Sequence, residues 1–392
     1  MQVALYVHPF DVTALEGHGG LGRLRDLGVG ELSMATSYHD GRWLTPWHPE
    51  RKVRFLEDGC VHFRPNRDYG LLQPKLSSEV PDLGSSPLER LCAAAPDAGL
   101  RVRAWTVFGH NSRLGEKHPE LTVENAFGDR YPYSLCPSQP AVQQFHQNLV
   151  GDLAGHAGLA SIEFEALGQM GIQHSSHHDK KSFSPSGLLA FALSACFCSA
   201  CLEMHQEVGS DGEAMRARVV SFIAAQTTDA DAMAPGSVPR SDDDLDEHQR
   251  EWLESVLAAR AEAMAVIAEA VTAASGRCDR AVQVHPDRWF TGSQLSVESA
   301  EAFSGGEERV LTCYGEGPAQ IEALLGHAGM AAIQGGKRRL CIWPKAPQFS
   351  SDGDLLKIKQ LCADHGIETV AIYHLGLLPW RTIERAAKIL SA

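Results

Sequence analysis

Short apolar runs alternate with amphipathic stretches along the chain, most clearly in its last third. RAVQVHPDRWF (280–290) is β-branched and precedes the helical SVESAEAF, and RVLTCYGEG (309–317) precedes PAQIEALLGHAG. RRLCIWPKAP (338–347) leads into DGDLLKIKQLCADHG, and ETVAIYHLGLLP (368–379) into WRTIERAAKILSA. Each run has the length of a buried strand, and each following stretch carries one apolar stripe at helical spacing.

The first half repeats the alternation with longer loops. QVALYVHPF precedes VTALEGHGGLGRLRDLG. GVGELSMATSYH (28–39) leads, through a loop with a hairpin predicted at 52–64, to SPLERLCAAAPDAG. RVRAWTVFGHN (101–111) precedes QPAVQQFHQNLVGDLAGHAG, and LASIEFEALG (159–168) opens a segment rich in cysteine and helix formers. Eight strand–helix units predict an α/β chain folded as one (β/α)8 TIM barrel over residues 1–392, with a helical insertion after strand 4. A doubly wound sheet would place a Gly-rich phosphate loop directly after a strand. The nearest stretch, GHGGLGRL, falls instead within the helix predicted after the first strand.

Residues 169–277 depart from the rhythm. They read as a lid loop over 169–190, a cysteine turn and then helix. An acidic, breaker-rich loop at 227–249 interrupts that helix before the Ala-rich REWLESVLAARAEAMAVIAEAVTAA.

Composition narrows the partners. The 392 residues are 44% apolar, and the formal charge is −14, which disfavours a phosphate-binding surface and hence nucleic acid. No apolar run reaches the roughly 18 residues of a membrane span, and MQVALYVHPF begins as a strand rather than as a signal peptide. Six of the ten cysteines are scattered through core-like segments, as in a reduced chain, so a cytoplasmic location is expected. Oligomeric state is not legible.

The other four cysteines are the sharpest signal. Cys196, Cys198 and Cys201 form C-x-C-x-x-C ahead of a helix, and Cys136 in YSLCPSQPAVQQF lies on the neighbouring top-side loop. Tetrahedral zinc takes four thiolates. A catalytic dithiol needs only C-x-x-C and a thioredoxin-like βαβ setting, which is not visible here. Four buried free thiols are the plainer alternative.

The order of a cysteine in a CPSQP turn, a Glu-bearing fourth strand and C-x-C-x-x-C heading a helix, over residues 100–205, resembles the β-galactosidases of glycoside hydrolase family 42 and related clan A barrels. The resemblance implies structural Zn2+ on Cys136, Cys196, Cys198 and Cys201, and a carbohydrate substrate. The family's fourth strand ends in Asn-Glu, the Glu being the acid/base. Aligned on Gly168, this chain has Glu165 at the Asn position and Ala166 at the Glu position. Its seventh strand, CIWPKAP, carries Lys345 and no nucleophilic Glu.

Chemistry in this fold sits at the C-terminal strand ends. Those ends supply His8, then Tyr38 and His39, then His110 and Asn111, with Trp105 just before. Later ends supply His285, Asp287 and Arg288, Tyr314, Trp343 and Lys345, and Tyr373 and His374. All are candidate substrate contacts, the aromatic rings as stacking faces for sugars. Glu163 and Glu165 share a strand face. If both point inward, one carboxyl is expected to rise in pKa and act as general acid, unless Glu163 is paired with a deep Arg or Lys. Glu165 with Glu316 is the expected catalytic pair of a glycoside hydrolase. His174, His177, His178 and Asp179, with the strand-end histidines, keep a second reading open: a metal-dependent sugar isomerase, epimerase or lyase with a second, catalytic metal. A catalytically inactive sugar-binding barrel is the third.

Overall fold

The computed structural model describes residues 1–16, 19–174, 179–180, 182–228, 238–303, 305–333 and 336–392. Eight parallel strands run around a ring: β1 (Gln2–Val7), β2 (Val29–Tyr38), β3 (Arg101–Val107), β4 (Ser161–Glu165), β5 (Asp279–His285), β6 (Glu308–Cys313), β7 (Arg338–Ile342) and β8 (Thr369–Ile372). Each pairs with the next, and β8 pairs with β1, which closes the barrel. This is the (β/α)8 fold.

The two faces of every strand are buried for different reasons. Val3, Leu5, Leu32, Ile162, Phe164, Val282, Leu340 and Ile372 face outward into the layer shared with the helices. Residues of the opposite strand face, Ala4, Tyr6, Ala35, Trp105, Ala281, Val310, Cys341 and Ala371, fill the interior. Because both faces are covered, the strands read as apolar runs with little visible alternation.

The barrel floor is charged. Arg103 Nε lies 3.0 Å from Glu31, while Arg339 reaches Glu31 at 2.7 Å and Glu308 at 3.2 Å. Arg103 also bonds Glu308. Burial opposes ionisation of Glu31, but Arg103 and Arg339 hold its carboxyl down at about 2.

After β4 the chain forms helices Gly187–Ser194, Ser199–Glu207, Gly212–Thr228 and Glu247–Ala274. Asp246 and Gln249 cap the last of these reciprocally. The helices enclose a second small core of Phe191, Phe222, Trp252, Leu253 and Trp289. No single described helix is long and apolar enough to cross a membrane.

Two local expectations are corrected. The hairpin is Gly41–Leu44 with Val53–Leu56, not 52–64. Gly59, at φ +60, turns the chain back toward β2 instead, where Cys60 and Val61 pair antiparallel with Tyr38 and Ser37. The stretch after β1 is two helices, Pro9–Glu16 and Gly20–Asp26. Gly19, at φ +61, precedes the second, because a left-handed residue cannot continue the first.

Candidate active site

Glu163 and Glu165 both point into the barrel, with different partners. Glu163 is fully buried and accepts hydrogen bonds from Tyr6 Oη, from Gln283 Nε2 at 2.8 Å and from Arg103 Nη1 at 3.3 Å. With both oxygens engaged beneath the mouth, Glu163 is taken up by structural contacts, which corrects its place among the catalytic candidates. Glu165 lies one step higher. Its Oε2 accepts from Trp105 Nε1 at 2.5 Å and from Gln283 Nε2 at 3.3 Å. Burial pushes its carboxyl up to about 7; Trp105 works against the rise and the Glu163 charge adds to it. A carboxyl poised near neutrality can both give and take a proton.

The backbone after Glu165 is shaped to hold it. Ala166 is left-handed at φ 55, its N–H donates to Ser293 O at 2.7 Å, and its carbonyl accepts from Gly109 N at 2.7 Å. A Cβ on Gly109 would meet that carbonyl at 2.8 Å, so the close approach requires glycine.

Aromatic side chains gather around Glu165, whose charge acts on Tyr38, Tyr314 and Tyr373. Tyr38 Oη and Tyr373 Oη are 3.1 Å apart, and the Tyr314 ring packs 4.2 Å from that of Tyr373. Trp343 is half-buried, with Lys345 Nζ 3.2 Å above its ring. Trp105 is only 1% exposed, so it positions Glu165 and has no free face for a sugar, a correction to its expected role. Glu316 follows the end of β6, partly exposed, and accepts from Gly315 N at 2.8 Å. No hydrogen bond or ion pair among the described residues joins it to Glu165; its charge is felt by Lys345 and by Cys313.

Several other strand-end residues carry local structure. Asn111 Oδ1 caps the helix Ser112–Lys117, accepting from Leu114 N at 3.0 Å. Asp287 accepts from Trp289 N at 2.8 Å, and His285 stacks on Phe290 at 4.0 Å. Arg288 is divided among Asp242 at 2.9 Å, Glu254 at 2.9 Å and Glu298 at 2.7 Å, clamping the insertion to β5. These contacts occupy all three nitrogens of the Arg288 guanidinium and the side-chain oxygen of Asn111.

The histidines form two groups. His39 stacks on His110 at 4.2 Å, and His110 meets His174 edge-on at 4.2 Å. Burial lowers the pKa of all three. His8, His62 and His374 gather on the β1–β8 side, where His374 Nδ1 lies 3.7 Å from Asp11. Burial pushes Asp11 up to about 8. Among the described residues, the group of His, Cys, Asp and Glu whose ligand atoms converge is the four cysteines. His177 and His178 lie outside the described residues.

Cys136, Cys196, Cys198 and Cys201 are all buried, with Sγ–Sγ distances from Cys136 of 3.5 Å to Cys201, 3.6 Å to Cys198 and 3.8 Å to Cys196. A disulfide is about 2.05 Å long, whereas a tetrahedron with about 2.3 Å metal–sulfur bonds has edges of about 3.8 Å. The spacing is that of a four-thiolate metal site. Backbone Glu124 N donates to Cys196 at 3.3 Å, Gln139 Nε2 to Cys198 at 3.5 Å and Gln169 Nε2 to Cys201 at 3.4 Å. Arg260 lies half-buried beside them; burial lowers its guanidinium to about 10, and Cys201 leads the charges that oppose the drop. These donors and this cation suit a cluster carrying net negative charge.

Sequence reasoning passed over Tyr6, Arg103, Gln283 and His62. The first three had a signal: they occupy every-other positions in QVALYV, RVRAWTV and RAVQVH, on the same face as Trp105 or the equivalent inward residue. His62 had none, since it lies in a loop whose pairing was misplaced.

No protein-family model matches the chain, and no curated protein matches it in sequence. Solved structures do. The glycoside hydrolase domain of PgaB (BpsB) from Bordetella bronchiseptica superposes with a TM-score of 0.58 at 12% identity, covering 100% of this chain and 99% of that one. The catalytic domain of β-amylase from Paenibacillus polymyxa gives 0.55 at 10% identity, with 100% and 98% covered. The β-galactosidase from the psychrophilic Marinomonas ef1 gives 0.53 at 10% identity, this chain spanning 59% of its length. At such identities the likeness establishes the barrel fold.

Proposed function

We propose that this barrel is a carbohydrate-active enzyme, specifically a glycoside hydrolase whose general acid is Glu165. The observation that carries the reading is the environment of that carboxyl, buried at the catalytic end of β4 and pushed up to about 7. It is therefore still protonated near neutral pH, as a proton donor to a leaving glycosidic oxygen must be. Trp105 and Gln283 hold it in place, and Tyr38, Tyr314 and Tyr373 lie around it, with Trp343 packed on Tyr373. Glu316, on the loop after β6, is the second carboxylate of this reading. The names of the solved structures that share the fold support the substrate class. The sulfur spacing supports Zn2+ in the cysteine site, where it would tie the loop after β3 to the turn at 196–201, as in family 42.

The test is turnover of glycosides with graded leaving groups. Glu165→Gln is expected to slow poor leaving groups by about 10²–10⁴-fold and activated aryl glycosides much less, since only the former need the proton. The wild-type rate should fall as pH rises through about 7, where the acid loses its proton. Equal rates in wild type and variant across the leaving-group series would remove Glu165 from the chemistry.

A further inference from the structure

Beside the barrel mouth, between the hairpin Gly41–Leu56 and the loop around residue 77, lies a cavity of about 280 Å³. Its floor is formed by His8, His62 and Tyr38, which are 2%, 4% and 5% exposed. Both ring nitrogens of His8 and both of His62 are buried without a hydrogen-bond partner. A buried polar atom left unpaired destabilises a fold by about 1–3 kcal/mol. Four such atoms on two adjoining rings, 4.8 Å apart, are not explained by packing.

The surroundings define what would satisfy them. Burial leads the causes that hold His8 and His62 neutral, so each ring offers one N–H donor and one bare nitrogen acceptor. That alternation matches hydroxyl groups, which donate and accept. The charged residues of the wall balance, Arg51 and Arg54 against Glu57 and Glu79, with Arg54 3.5 Å from Glu79. A charged ligand therefore has no net counter-charge here. At the rim stands Phe55, 77% exposed, a flat apolar face of the kind that stacks on the C–H side of a sugar ring. The volume is at the low end of ligand pockets, room for one ring rather than a chain. Tyr38 joins this cavity to the Glu165 site through its contact with Tyr373.

We infer that this cavity is a binding subsite for one uncharged sugar ring, held by His8 and His62 from below and by Phe55 at the rim, next to the ring attacked at Glu165. The inference rests on the glycosidase reading for its ligand class, but it is tested by binding alone.

The experiment is a titration and thermal-melt series on wild type, Glu165→Gln, His62→Phe and Phe55→Ser. D-glucose, D-galactose and D-mannose are the neutral probes, glucose 6-phosphate the charged one and zinc chloride the metal. At least one neutral hexose is expected to bind wild type and Glu165→Gln alike. His62→Phe should weaken that affinity about tenfold or more, the value of a lost hydrogen-bond pair. Phe55→Ser, at an exposed position, should weaken it while leaving the sugar-free melt unchanged, and it decides the matter if His62→Phe does not fold. Binding of no neutral hexose, unchanged affinity in folded variants, or preference for the phosphate would each overturn the subsite. So would a metal equivalent that is lost with His62. Hexose binding without glycoside turnover would sink the hydrolase and leave the subsite standing. Turnover with a KM indifferent to both variants would do the reverse.

Discussion

Replacing Glu165 by Gln should make the protein more stable at alkaline pH while removing its proton donor. The folded chain holds the Glu165 carboxyl at about 7, against an ordinary value of 4.5, because burial disfavours the anion. Between those two values the folded state binds the proton that the unfolded state has released. Stability therefore falls as pH rises through that window, and the loss is complete above about 7. The interval is worth about 3 kcal/mol at about 1.4 kcal/mol per pH unit, and the site is buried enough that solvent screening takes little from it. Glutamine keeps an oxygen for the Trp105 donor and has no charge to desolvate. Urea unfolding of wild type and variant at about pH 5 and about pH 8 isolates the effect, because any fixed cost of the substitution cancels in the difference. The variant should gain about 2–3 kcal/mol on wild type between the two conditions. A difference that is flat with pH, or that favours wild type at the higher pH, would show that Glu165 ionises freely in the fold and would take the physical basis from the acid role.

Two further outcomes test the surrounding architecture. Purified wild type should carry one zinc per chain in its cysteine site, and Cys198→Ser should lose it with a clear fall in melting temperature; metal retained by the variant, measured by elemental analysis, would place it elsewhere. Arg103→Met should destabilise the barrel by about 3–5 kcal/mol, because Glu31, Glu163 and Glu308 would be left as buried charges with too few partners. A change within about 1 kcal/mol in chemical denaturation would mean that water reaches the barrel floor.

Glu165 itself shows how far sequence reasoning reached. Its strand, its position near the strand's end and its sharing of a face with Glu163 all follow from LASIEFEALG and the period of a strand. What separates the two carboxyls does not: Glu163 meets Arg103 across 60 positions and Gln283 across 120, while burial raises Glu165. Asn111 and Arg288 illustrate the converse. Both lie where substrate contacts belong, yet a helix terminus takes one and three carboxylates take the other.

The sequence by itself determined the eight strand–helix units and the four-thiol set. Periodicity and cysteine spacing are local properties, and a barrel strand is apolar whichever side it shows. Tertiary structure decided which of two buried faces looks inward, where the 41–56 hairpin folds, and that His62 comes to lie beside His8. The inward face and the His62–His8 contact depend on pairings between distant segments, β8 with β1, β1 with β2 and β2 with Cys60–Val61, which bring together residues that no short window along the chain contains.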